Sequence, residues 1–132
     1  MKLTIQRRET FCASHRLYNP NLSKDENEKL YKKCSKIHGH NYVLIVNITG
    51  DVDKQTGMII PFEDMKYCIG SVVDLFDHTY LNDFDFFKEK QTTVENFAFL
   101  IWDLLEEKFE GKVIIDKIEL FETEKNSVCL TR

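Results

Sequence analysis

From Leu3 to Ala13 the apolar residues Leu3, Ile5, Phe11 and Ala13 alternate with Thr4, Gln6, Arg8 and Thr10, the period of a half-buried strand. This strand leads directly into Ser14 and His15. Residues 16–37 break the alternation with Asn19-Pro20-Asn21, Ser23-Lys24-Asp25-Glu26 and several lysines, which predicts a long polar loop with a helical turn after Ser23. Asn41 to Thr49, rich in Val and Ile, predicts a second strand, and Asp51 to Gly57 a hairpin turn that returns through Met58, Ile59 and Ile60 until Pro61 ends it. Phe62, Met65, Ile69, Val72, Val73 and Phe76 fall at helical spacing, as do Val94, Phe97, Ala98, Ile101, Leu104 and Leu105. Lys112 to Phe121 and Ser127 to Thr131 read as two further strands joined by a Glu-Lys-Asn turn. The order β-β-(β)-α-α-β-β predicts an α+β fold, an antiparallel sheet with two helices on one face. Such a sheet has open edges, which oligomerisation would pair.

Composition narrows this picture. With 132 residues, 42% of them hydrophobic, and only two prolines and five glycines, the chain predicts a single domain spanning residues 1–132. The formal charge of -4 argues against nucleic acid or an anionic membrane surface as partner, so a polyanionic ligand would need a local cluster, for which Arg16, Lys32, Lys33 and Lys36 are candidates. No apolar run approaches the length of a membrane span, and the N-terminal residues carry no apolar signal-like core. Cys12, Cys34, Cys68 and Cys129 lie far apart without a C-x-x-C pair; this disfavours a disulfide framework and suits a cytoplasmic protein.

The chemistry gathers where strands end. His38 and His40, two apart, point to one side of a strand, and Gly39 removes the side chain between them. His15 joins them if the first two strands are antiparallel neighbours. Three imidazoles with an open position form the ligand set of a catalytic zinc, although a His-Gly-His alone fits a polar strand edge equally well. Cys34 stands in a lysine-rich stretch that favours thiolate and so a base or nucleophile, whereas Cys12, Cys68 and Cys129 read as small buried hydrophobes. Asp77 beside His78 can fix a tautomer and raise basicity, or the histidine can simply answer a helix dipole. Thr92-Thr93-Val94-Glu95 matches a capping box, which gives Glu95 a structural duty. Glu122 shares a strand face with Ile114, Ile118 and Leu120, where an inward carboxylate calls for a ligand with N–H donors.

Taken together, Phe11-Cys12-Ala13-Ser14-His15-Arg16-Leu17, Cys34 followed by His38-Gly39-His40-Asn41-Tyr42, Gly50-Asp51-Val52-Asp53 with Thr56-Gly57-Met58, Asp77-His78 with Leu81-Asn82, Thr93-Val94-Glu95-Asn96 and Glu122-Thr123 resemble the 6-pyruvoyl-tetrahydropterin synthase and 6-carboxy-tetrahydropterin synthase family over nearly the whole chain. The resemblance implies the tunnelling fold, in which trimers close their sheets into a barrel and commonly stack into hexamers. It implies zinc held by His15, His38 and His40, and catalysis by Cys34 with Asp77 and His78 of another subunit. Glu122, Thr93 and Glu95 would lie around the pterin. The implied substrate is 7,8-dihydroneopterin triphosphate, which loses triphosphate. Three residues separate Cys34 from His38, a spacing that resembles the carboxy branch of queuosine synthesis and points to 6-carboxy-tetrahydropterin and acetaldehyde as products. The Leu17–Lys33 segment instead resembles the pyruvoyl branch, on the way to tetrahydrobiopterin, and that synthase is the alternative. A non-catalytic domain that binds zinc and a pterin is a further one. Pro61 departs from the family, which commonly carries Asp or Asn there.

Overall fold

The structure, a computed structural model, describes all 132 residues. Strand β1 (Ile5–His15) is followed by helix α1 (Lys24–Tyr31), a 3-10 turn over Lys32–Ser35, strand β2 (His38–Thr49) and helix α2 (Phe62–Phe76). A two-residue strand β3 (Thr79–Tyr80), two further 3-10 turns, helix α3 (Val94–Phe109) and strands β4 (Ile114–Phe121) and β5 (Ser127–Thr131) complete the chain. The sheet order is β3-β1-β2-β4-β5, antiparallel throughout except that β3 runs parallel to β1. The expected α+β architecture is present.

One face of the sheet is apolar and carries the helices. Along β2 the even positions Tyr42, Leu44, Val46 and Ile48 are fully buried, against Met65, Ile69, Val72 and Phe76 of α2 and Phe97, Ile101 and Leu105 of α3. These helical positions recur every three or four residues, so each helix lays one stripe on the sheet. Burying a large apolar side chain contributes roughly 1.5–3 kcal/mol. The same even face of β2, followed toward its start, passes from Tyr42 to His40 and His38. The site therefore lies at the end of the sheet, on the helix-bearing face.

Three expectations need correction. Met58–Ile60 form no strand, because β2 is already paired with β1 on one edge and β4 on the other; a hairpin partner finds no free ladder. The segment instead closes on itself, Gly57 N–H donating to Asp53 O at 2.8 Å and Asp53 N–H to Met58 O at 2.9 Å, with Gly57 in a left-handed conformation (φ 74). The polar loop after Ser23 holds a full eight-residue helix rather than one turn, opened by a capping box in which Glu26 N–H donates to Ser23 Oγ and Ser23 N–H to the Glu26 carboxylate. Ile114, expected to face inward with Ile118 and Leu120, is exposed. The ladder between β2 and β4 is irregular, Asn47 opposing Lys117 while Ile48 opposes Ile115, so Asp116 is the extra residue of a bulge and Ile115 takes the buried place.

Candidate metal centre and active site

β1 and β2 pair in antiparallel register with His15 opposite His38 and Ala13 opposite His40. All three imidazoles thus share the end of the helix-bearing face, and one ring nitrogen from each lies within 4.8 Å of the others. Ring centroids stand 4.6–5.1 Å apart. His15 Nδ1 lies 2.7 Å from the Thr92 carbonyl and His38 Nδ1 2.7 Å from the Lys36 carbonyl. A carbonyl only accepts, so both Nδ1 atoms carry the proton and both Nε2 atoms present a lone pair. Burial, ahead of the two neighbouring imidazoles, lowers the His15 pKa to about 4 against the pull of its Thr92 hydrogen bond. His40 is likewise lowered, first by burial. Neutral imidazole is the metal-ligating form.

Three buried polar atoms at this spot have no hydrogen-bond partner in the protein: His15 Nε2, His40 Nε2 and the Tyr42 hydroxyl. Buried polar groups without partners are rare and point to something the protein binds. The donor set fits a divalent metal of the zinc type, to which three imidazoles would leave room for a further ligand. Glu122, one residue beyond β4, brings its two carboxylate oxygens to 3.9 Å from His15 Nε2 and 3.8 Å from His40 Nε2. Tyr42 is the residue that sequence reasoning passed over. The signal was available, since His38, His40 and Tyr42 alternate on one strand face. Its hydroxyl is raised in pKa by burial and then by Glu122.

Asp77 and His78 follow α2 and lie beside β1. Asp77 does not serve the helix end alone: its Oδ1 accepts the Cys12 N–H at 3.0 Å and lies 3.0 Å from His78 Nδ1, while His78 N–H donates to the Cys12 carbonyl at 2.7 Å. The Cys12 amide and then His78 hold the Asp77 carboxyl below the usual range. His78 sits at φ 61, a left-handed conformation costly for a residue with a Cβ, and is exposed. The thiol grouped with this pair is that of Cys12, whose Sγ lies within 4.8 Å of the Asp77 and His78 donor atoms. Cys12 is half-buried, as is Cys68, and Cys129 is exposed; none is the buried hydrophobe expected.

Cys34 occupies the 3-10 turn before β2, half-buried, its carbonyl accepting from Leu17 N–H at 2.8 Å. This ties it two residues beyond His15, but its thiol is not among the atoms grouped with the histidines or with Asp77 and His78. Thr93 is the N-cap of α3, its hydroxyl accepting from Asn96 N–H at 3.3 Å. The cap therefore ends at Asn96, not at Glu95, and the capping box expected for Glu95 is not formed. Glu95 is exposed on the first turn. No helix is long and apolar enough to cross a membrane.

An α+β sheet with an open histidine centre at the end of its central strands is the tunnelling fold, as superposition on the structure of Caenorhabditis elegans 6-pyruvoyl tetrahydropterin synthase makes plain: TM-score 0.89 and 34% identity over 98% of this chain and 95% of that one. The chain belongs to the 6-pyruvoyl tetrahydropterin synthase family, whose model matches residues 4–132. A relative from Pongo abelii named 6-pyruvoyl tetrahydrobiopterin synthase is 41% identical over 128 residues, 94% of this chain and 88% of its own length. A protein of Archaeoglobus fulgidus, provisionally named a 6-carboxy-5,6,7,8-tetrahydropterin synthase, is 42% identical over 78 residues, 59% of this chain and 64% of its own.

Proposed function

We propose that the protein converts 7,8-dihydroneopterin triphosphate, with loss of triphosphate, to 6-pyruvoyl-tetrahydropterin, using a zinc ion held by His15, His38 and His40. The observation that carries this is the convergence of three partnerless buried polar atoms and the Glu122 carboxylate at one end of the sheet. When bound, the metal supplies Lewis acidity toward the substrate's side-chain oxygens. The Glu122 carboxylate accepts N–H donors of the pterin ring, with Thr93 and Glu95 at the rim. Cys34, as thiolate, takes a carbon-bound proton from the substrate side chain, and Asp77 orients His78 to pass protons in the same steps, reaching a Cys34 of a neighbouring subunit. The leaving triphosphate departs with the electron pair of its C–O bond.

The cysteine spacing that points to the carboxy product is outweighed by the relatives. Those named pyruvoyl synthases align over 94% of the chain, and the carboxy-type relative over 59%. The carboxy reading stays as the second one, favoured by the three residues between Cys34 and His38. Incubating zinc-loaded protein with the substrate separates the outcomes. Triphosphate release without acetaldehyde is expected. Acetaldehyde would assign the carboxy product, and no turnover above a metal-stripped control would leave a zinc- and pterin-binding domain.

A further inference from the structure

Beside the histidine centre lies a polar cleft of about 520 Å3 whose walls include Arg16, Tyr18, Tyr80, Lys88, Lys90 and Gln91. We infer that this cleft is a binding site for a linear oligophosphate and, resting on the function proposed above, seats the phosphate chain of the substrate.

Charge comes first. The chain as a whole is negative, yet the cleft sets three cations against one carboxylate, the exposed Glu89. None of the three is in an ion pair. The Arg16 guanidinium lies 3.9 Å from the centre of the Tyr18 ring, the Lys90 ammonium 4.6 Å from that of Phe86, and Lys88 Nζ 3.4 Å from the Asn82 carbonyl. Partners of this kind hold a cation in place without neutralising it, so the charge stays available to an anion.

The wall is also fixed before any ligand arrives. Arg16 N–H donates to Asn82 Oδ1 at 3.0 Å, and the Arg16 carbonyl accepts from Asn82 Nδ2 at 2.9 Å and from the Thr92 hydroxyl at 3.0 Å. The Gln91 amide likewise takes both main-chain groups of Tyr18, at 3.1 and 3.2 Å. A pre-ordered wall spares the ligand that ordering cost.

Position supplies the link to the chemistry. Arg16 follows metal-ligand candidate His15, and Gln91 precedes Thr92, whose carbonyl holds the His15 ring. Tyr80 lines both this cleft and the one containing His40 and His78. The cleft and the histidines are thus joined through the main chain at residues 15–16 and 91–92, and a substrate spanning the two would lay its tail among the cleft's cations. Lys32, Lys33 and Lys36, candidates from charge alone, do not line it.

Calorimetric titration of inorganic triphosphate into zinc-loaded protein tests the site. Wild type should bind, K88A/K90A should bind at least about tenfold more weakly, since each lost charge-assisted contact is large on the scale of a tenfold step, and K88R/K90R should restore affinity. K32A/K33A/K36A should bind as wild type does. With the full substrate, K88A/K90A should raise KM about tenfold while kcat stays within about twofold. Equal triphosphate affinity in wild type and K88A/K90A would overturn the inference. Neopterin, which lacks the phosphates, should bind both proteins alike; failure of neopterin to bind wild type would instead strike at the pterin function and leave the oligophosphate site standing.

Discussion

Two cysteines bear on the proposed chemistry, Cys12 through its contacts with Asp77 and His78 and Cys34 through the role of base proposed for it. Cys12 grips Asp77 and His78 through its own N–H and carbonyl, so Cys12→Ser should keep the pair in place and retain most turnover. Cys34→Ala should abolish turnover while bound zinc, measured by atomic absorption, stays at the wild-type level; unchanged turnover would remove Cys34 from the role of base. His40→Ala should bring zinc well below the wild-type level, because two imidazoles make a much poorer site than three. The left-handed His78 offers a separate test. Gly adopts that conformation freely, and the surface contact between Asp77 and His78 contributes little, so His78→Gly should leave thermal stability unchanged or raise it by up to about 1 kcal/mol while turnover falls. A loss of both would make His78 a structural residue. The histidine triad was legible because a period of two and a plausible strand pairing place all three rings. The Cys12 contact was not, because it depends on the parallel strand β3, whose two residues carry no periodicity at all.

At the scale of elements, the helices and strands with unbroken apolar periods appear where the sequence predicts them. α2 covers Phe62–Phe76, every position of its expected stripe lying inside it, although Phe62 itself is exposed. The failures come from competition that no local window contains. Met58–Ile60 have strand-like residues but no unpaired edge, and Ile114 has the right alternation until Asp116 is inserted. Pro61 now has a place too: it is the N-cap of α2 and brings no capping side chain. Thr93, by contrast, caps α3 with its hydroxyl. Thr93→Ala should therefore lower stability by about 1 kcal/mol in denaturant melts, and Thr93→Ser should restore it; a change confined to KM would show that the hydroxyl serves the pterin instead.

For the whole molecule, the sheet ends in two unlike edges. β1 pairs with β3 only at Ala13 and Ser14, leaving its outer edge from Ile5 to Phe11 free of strand partners, and β5 is paired on one side alone. Free edges of this length invite pairing with another chain. We expect a trimer or its double in solution, which light scattering would report as a mass of three or six times 15.6 kDa; a monomer would overturn the proposed pairing of Asp77 and His78 with a neighbouring subunit's Cys34. Joining an edge of one kind to an edge of another is a head-to-tail contact, and whether such a chain of contacts closes into a ring depends on the rotation between successive subunits. That rotation is set inside each subunit by the twist of its sheet, and a bulge increases local twist. Asp116, the bulge residue, also accepts the Arg132 N–H at 3.0 Å and pairs with Lys2, so it ties together the chain's two ends as well. Were copies of this chain to close into a ring, the bulge at Asp116 would be one of the features of the sheet that set its size.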